Sequence, residues 1–139
     1  FSAFSALRHH VEVSFFAEAV AQLSAGDKAA LQSLVRAAQR KLEGAPIRIP
    51  HQEHRALHLG IFQRLENPFV QGLLEAYWDA YEAVELNVYA DIDYLRDVWN
   101  YHARIVSGII SGDIESARRA LVEHTELLRA RDADRPQDS

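Results

Sequence analysis

The sequence predicts an all-α fold, an antiparallel bundle of about six helices. Apolar residues recur every three or four positions along most of the chain, whereas runs that alternate apolar and polar residues, as strands require, are few. Prolines and glycines tend to fall at the ends of the periodic segments, with short links between them. No repeat period is visible, and 139 residues are enough to bury one core. We therefore expect a single domain over residues 1–139.

Three helices are predicted in the first half of the chain. The first, over residues 2–24, has an inward stripe of apolar residues at helical spacing: Phe4, Leu7, Val11, Phe15, Ala19 and Leu23. Asp27 is the predicted N-cap of a second helix over residues 28–43, with Leu31, Leu34, Val35, Ala38 and Leu42 inside. An extended link leads to Pro50, which suits the first turn of a third helix that ends at Asn67-Pro68.

Three more helices are predicted in the second half. The fourth, over residues 69–88, carries Leu73, Leu74, Tyr77, Trp78, Tyr81 and Val84, and a turn is expected around Tyr89-Ala90. The fifth, over residues 92–110, has Leu95, Val98, His102, Ile105 and Ile109 on one face. Asp113 is the predicted N-cap of the sixth, over residues 114–131, whose inner stripe is Ile114, Ala117, Leu121, His124 and Leu128. The polar tail, residues 132–139, is expected to be frayed.

Composition excludes several classes of protein. The formal net charge is −5, and the arginines are scattered, so these residues alone are not expected to bind nucleic acid. No apolar run is long enough for a membrane span, and we expect no membrane partner. The chain has no cysteine, which rules out disulfides and thiolate ligands and fits a reducing compartment, the cytoplasm. Only His, Asp and Glu remain as metal ligands.

Four of the seven histidines fall within apolar stripes. His54 and His58 are one helical turn apart on the third helix, His102 is on the fifth and His124 on the sixth. A lone inward histidine is more often a hydrogen-bonded core residue than a ligand. Four of them without a common partner would leave many buried donors and acceptors, each costing about 1–3 kcal/mol. One divalent ion satisfies them together, so the sequence predicts a metal centre, and nitrogen ligands favour zinc, nickel or copper over magnesium or calcium.

The spacing excludes the familiar catalytic motifs. The zinc-protease pattern H-E-x-x-H fails because Arg55 follows His54, and no carboxylate stands three residues before any of the four histidines, as di-iron bundles require. No nucleophilic triad or phosphate-binding loop is visible. The periodicity is compatible with two interpretations of Arg8. It either forms an exposed i,i+4 ion pair with Glu12, or points inward so that its guanidinium can bind a carboxylate. The aromatic residues of the fourth helix, Tyr77 and Tyr81 among them, either line a pocket or belong to the core.

The chain resembles the ligand-binding FCD domain of GntR transcription regulators, the domain similar to the C-terminal part of FadR. A first-helix R-x-x-x-E is matched by Arg8 and Glu12. The motif D-x-x-F-H followed by Asn-Pro is matched from His54 to His58 and at Asn67-Pro68, with His54 for Asp and Leu57 for Phe. The last family motif, H-x-x-(I/L)-x-x-A-I-x-x-G-D-x-x-x-A…H, is matched at His102, Ile105, Ile109, Gly112, Asp113, Ala117 and His124. Gly108 stands where the family usually has Ala.

The resemblance implies a helical bundle that binds a small molecule, often an organic acid, over a metal ion held by one Asp and three His. Carried over, the three are His58, His102 and His124, and His54 stands at the Asp position. This departure gives either a four-histidine site, with zinc or nickel preferred, or an ion that is displaced from the family's position. Arg8, Tyr77 and Tyr81 are then the expected effector-binding residues. The resemblance also implies a homodimer and an N-terminal winged helix-turn-helix domain that binds the operator. That domain is not among these residues, so we expect the effector-binding and dimerising half of a regulator, not an enzyme.

Three alternatives stay open on the sequence alone. A metal-dependent enzyme would use the open coordination position to activate water, with Glu12 or Asp97 as a base. A purely structural ion would only stabilise a dimerisation domain. A bundle with no metal at all is the third.

Overall fold

Six helices form the described part of the chain, and the all-α prediction is confirmed. The computed structural model describes residues 2–85 and 91–134, with side chains for residues 2–83 and 91–126. The helices are α1 (Ser2–Ala21), α2 (Ala25–Glu43), α3 (His51–Ile61), α4 (Pro68–Glu85), α5 (Ile92–Ser111) and α6 (Ile114–Asp134). No strand occurs within those two ranges.

The helices pack as a bundle around one core. Helix α5 contacts α6 and α2, α2 contacts α3, and α1 contacts α6, α4 and α3. Gly112, with φ of 79°, ends α5 in the left-handed conformation that glycine adopts without strain, and the two-residue link to α6 makes these two helices antiparallel neighbours. The largest fully buried apolar side chains are Phe16, Leu31, Leu57, Phe62, Leu74, Trp78, Trp99, Ile105 and Ile109. None of the described helices combines the length and the apolar character that crossing a bilayer requires.

The links around α2 and α3 differ from the sequence prediction. Helix α2 begins at Ala25 rather than Lys28, because Ser24 is the N-cap and Asp27 completes a capping box: Ser24 Oγ accepts from the Asp27 backbone at 3.0 Å, and Asp27 Oδ2 accepts from the Ser24 backbone at 2.9 Å. Pro50 is the N-cap of α3 rather than its first residue. Helix α3 ends at Ile61 instead of Asn67, and the Asn67 side chain caps α4 by accepting from the next backbone amides.

The inward face of α1 was predicted one residue away from where it lies. Leu7, expected inside, is 50% exposed, whereas Arg8, Glu12 and Phe16 are buried. The rule that apolar residues face inward failed here because the two charged side chains neutralise each other inside the bundle. The buried face of α1 is therefore partly polar, and it points at the histidine-bearing helices.

The second half of the chain follows the prediction more closely. All five predicted inward residues of α5 are buried, and Asp113 Oδ1 accepts from the Ser116 backbone at 3.1 Å, as an N-cap should. Helix α6 runs to Asp134, three residues beyond its predicted end. The expected turn at Tyr89-Ala90, the side chains of Val84 and Leu128, and the last five residues of the expected frayed tail lie outside the described residues.

Candidate metal centre

The structure brings four imidazoles from three helices together in the bundle interior. His54 and His58 come from α3, His102 from α5 and His124 from α6, and one nitrogen from each lies within 4.8 Å of the others. His58, His102 and His124 are at most 1% exposed, and His54 is partly buried. All four predicted metal ligands are in this cluster, which we call the imidazole cluster.

The nitrogen spacing is close to what a small divalent ion requires. His58 Nε2 and His102 Nε2 are 3.3 Å apart. Zinc–nitrogen distances of about 2.0–2.1 Å place two tetrahedral ligand nitrogens about 3.3 Å apart, so this pair needs little movement to share an ion. The ring centroids of His102 and His124 lie 4.7 Å apart, and those of His54 and His102 lie 4.8 Å apart.

A buried carboxylate holds His58 from the side away from the cluster. Glu12, 1% exposed, accepts from His58 Nδ1 at 2.9 Å and from Arg8 Nη1 at 2.9 Å. Because an ionised carboxylate only accepts, Nδ1 of His58 carries the proton, and its Nε2, which faces His102, has the free lone pair of a ligand. Carboxylates that hold metal-binding histidines in this way orient the ring and raise its basicity.

The electrostatics favour the neutral forms of His54, His102 and His124 and the ionised form of Glu12. Burial and the neighbouring imidazoles lower the pKa of His54 and of His102 well below 6.5, and burial, with the charges of His58 and Arg8, lowers the pKa of His124 to about 3. Burial by itself raises the pKa of Glu12, but the charges of His58 and Arg8 and their hydrogen bonds outweigh it and bring it to about 2. Neutral imidazole is the form that binds a metal ion.

Two imidazole nitrogens in the cluster have no partner in the described part of the protein. His102 Nδ1 and His124 Nδ1 are both buried and make no hydrogen bond. Buried polar atoms in native proteins are nearly always satisfied, so each of these nitrogens calls for a partner beyond the described residues. The close approach of His58 Nε2 to His102 Nε2, the lowered pKa values of the other three rings and the support from Glu12 make this donor set fit a divalent ion with nitrogen ligands.

Aromatic side chains and Arg8 surround the cluster. The Trp78 ring lies 4.7 Å from that of His54 and 4.9 Å from that of His58, and the Tyr81 ring lies 5.6 Å from that of His54. Arg8 places its guanidinium over the Tyr77 ring, 4.6 Å from the centroid. Tyr81 therefore contacts the cluster directly, and Tyr77 lies beside it through Arg8 and Trp78. Arg8 is 4% exposed, so the expectation of an exposed ion pair with Glu12 is wrong, and the inward guanidinium holds the carboxylate of Glu12.

The remaining histidines and carboxylates take other positions. His9 is buried and hydrogen-bonded to Thr125, His10 is exposed, and His51 is partly buried at the start of α3. Of the two carboxylates considered as bases, Glu12 reaches the cluster, whereas Asp97 is exposed. The pairing of Glu12 with Arg8 was predicted, whereas its contact with His58 was not. No local sequence signal connects Glu12 to His58, because the two residues are 46 positions apart.

A separate surface cleft of about 600 Å³ lies along α5 and α6. Its lining includes Arg104, Arg119 and Glu123 but none of the four clustered histidines. Because the buried donors and the perturbed pKa values are in the imidazole cluster, we assign the candidate functional site to the cluster rather than to this cleft.

Comparison with known proteins gives one family. The model of the FCD domain matches residues 4–127, which is most of the chain and includes every residue of the imidazole cluster. No curated protein and no solved structure matches the chain.

Proposed function

Since this chain belongs to the FCD family, the effector-binding regulatory domains of GntR transcription regulators, we propose that it senses a small carboxylate through a divalent metal ion. The observation that carries the proposal is the meeting of four imidazoles from three helices, three of them with lowered pKa values. The family is one of ligand-binding rather than catalytic domains, so we propose no reaction.

The proposed ligands are His54, His58, His102 and His124, with zinc or nickel as the ion. Nitrogen donors suit these borderline metals better than magnesium or calcium. A bound ion supplies a positively charged position that an effector carboxylate can occupy. Glu12 keeps His58 in the tautomer that presents Nε2 to the cluster, which is the contribution of α1 to the site.

Arg8, Tyr77 and Tyr81 form the proposed effector side of the site. Arg8 Nη1 is engaged with Glu12, while its Nε is buried without a hydrogen bond and can donate to a carboxylate. Tyr77, on α4, lies under the guanidinium of Arg8, and its hydroxyl is 3.1 Å from Ser5 Oγ. The Tyr77 side chain is therefore held in place by two residues of α1.

In the regulator, the domain is proposed to form a homodimer and to reach DNA through an N-terminal winged helix-turn-helix domain, acting in the cytoplasm. An effector that binds among α1, α3, α4, α5 and α6 contacts all the helices that carry the site. The effector can therefore stabilise one arrangement of these helices. That arrangement would set the distance between the two DNA-binding domains of the dimer.

The test is calorimetric titration of protein that was purified without a histidine tag. Zinc or nickel should bind one ion per chain, and acetate or a larger carboxylate should then bind the metal-loaded protein but not the metal-free protein. His102→Ala should abolish both steps, whereas the exposed His10→Ala should leave both unchanged. Metal binding without anion binding would indicate that the ion has only a structural role. No metal binding would refute the proposal.

A further inference from the structure

Two buried N–H groups beside the imidazole cluster lack an acceptor. The indole Nε1 of Trp78, a residue 1% exposed, and the Nε of Arg8, a residue 4% exposed, make no hydrogen bond within the described residues. Both atoms can only donate. A buried donor left unpaired costs about 1–3 kcal/mol, so each of them calls for an oxygen acceptor that does not belong to the described chain.

These donors belong to side chains that lie close to each other. The guanidinium carbon of Arg8 lies 5.8 Å from the centroid of the Trp78 ring. That ring in turn contacts the rings of His54 and His58, with centroid distances of 4.7 and 4.9 Å. Trp78 thus contacts both Arg8 and two members of the imidazole cluster.

The charges of the site point to the same kind of ligand. Glu12 and Arg8 form a buried ion pair that sums to zero. The imidazoles are neutral ligands, so a divalent ion bound among them keeps both of its positive charges. Uncompensated charge is expensive in a water-poor interior, where Coulomb interactions are several times stronger than in water. A ligand with two negative charges balances this site, and one with a single charge leaves it positive.

We propose that the effector is a small dicarboxylate, whose second carboxylate accepts hydrogen bonds from Trp78 Nε1 and Arg8 Nε. This inference rests on the proposed metal-dependent function and adds the charge class of the effector. It also assigns an effector-binding role to Trp78, which the aromatic pattern of α4 alone leaves as a core residue.

The first experiment compares anions of different charge on the zinc-loaded protein at pH 7.5, by calorimetry. Malonate is the dicarboxylate probe, acetate the monocarboxylate and sulfate a dianion with a single anionic centre. We expect malonate to bind at least about tenfold more tightly than acetate, the factor that one added hydrogen bond to a charged acceptor provides. Sulfate should bind more weakly than malonate because its charge does not extend to both donors.

The second experiment uses variants of the two tryptophans that contact the cluster. Trp78→Phe keeps a large ring and removes the orphaned N–H, so malonate affinity should fall about tenfold while acetate and zinc affinities stay within about twofold. Trp99→Phe is the matched control, because Trp99 is 2% exposed and contacts the His102 ring at 4.6 Å, yet its indole nitrogen is not one of the buried unpartnered atoms. It should leave the ratio of malonate to acetate affinity unchanged.

The third experiment changes the charge of the site. His54→Asp adds one negative charge and keeps a metal-binding side chain, so it should lower the ratio of malonate to acetate affinity by about tenfold. If the wild-type protein binds zinc and both anions equally well, or if the Trp78→Phe and His54→Asp variants keep the wild-type ratio, the dicarboxylate inference is wrong while the proposed function stands. If neither zinc nor any anion binds, the proposed function itself fails.

Discussion

The strongest prediction concerns Glu12, which connects Arg8 on one side to the imidazole cluster on the other. Glu12→Gln keeps the shape of the side chain and removes its charge, so the guanidinium of Arg8 stays buried without a counter-charge. Breaking a buried ion pair from one side costs about 3–5 kcal/mol, against about 0–1 kcal/mol for an exposed pair. Arg8 and Glu12 are 4% and 1% exposed, so the larger range applies. Native domains are stable by about 5–15 kcal/mol, so most of the variant should still fold.

The same substitution should also weaken metal binding through the tautomer of His58. A glutamine amide that donates to Nδ1 moves the ring proton to Nε2, the atom that faces His102. Loss of such a supporting group costs about 10–100-fold in metal affinity. The two effects have a common origin but separate readouts.

The assay is urea unfolding of the metal-free protein, followed by far-ultraviolet circular dichroism, and zinc affinity by competition with a chelator. The matched control is Asp93→Asn, which removes a carboxylate 3.6 Å from Arg96 in a pair whose side chains are 95% and 52% exposed. We expect Glu12→Gln to lose at least about 3 kcal/mol of unfolding free energy and the control less than about 1 kcal/mol. Equal losses in the two variants would refute the reasoning about the buried pair.

Three further predictions test the pKa values, the glycines and the helix cap. The three imidazoles with lowered pKa values bind protons in the unfolded chain, where the pKa is 6.5, but not in the folded one, so stability is lost as the pH falls below 6.5. From pH 7.5 to 5.5 each imidazole removes on the order of 1 kcal/mol, so the metal-free protein should lose several kcal/mol of unfolding free energy in urea titrations. Gly108→Ala should cost about 1–3 kcal/mol, because the new Cβ would lie 2.7 Å from Ala117 Cβ and 2.9 Å from its backbone nitrogen, whereas Gly72→Ala meets nothing within 4 Å and should gain about 0.5–1 kcal/mol. Ser24→Ala should cost about 1 kcal/mol by removing the hydroxyl that caps α2.

Each of these has a clear contrary result in the same unfolding experiment. A stability that does not change between pH 7.5 and 5.5 would mean that the folded imidazoles titrate like free ones. A stable Gly108→Ala variant would show that α5 and α6 can separate without loss, and a Ser24→Ala variant as stable as the wild type would show that the hydroxyl is not needed at the start of α2.

The sequence predicted the helices and the imidazole cluster because both depend on periodicity. His54 and His58 share a helix face by spacing alone, and His102 and His124 fall within otherwise apolar stripes. Convergence of these three helices is a tertiary property, but buried imidazoles require partners, and that requirement made the prediction possible.

The remaining errors come from contacts that periodicity does not describe. The α1 face was misplaced because Arg8 and Glu12 neutralise each other inside the bundle, so that Leu7 lies outside. The start of α2 was misplaced because both Ser24 and Asp27 are good capping residues, and only the reciprocal hydrogen bonds of the capping box decide between them. The role of Glu12 depends on a contact with a residue 46 positions away, which no local pattern predicts.

The wide spread of the site along the chain has a kinetic consequence. Its side chains run from Arg8 to His124, so it is complete only after the first and last helices have docked, and we expect those long-range contacts to form late in folding. Interactions absent from the folding transition state slow unfolding without speeding folding. An ion held by these residues should therefore lengthen the lifetime of the native protein and leave its refolding rate nearly unchanged.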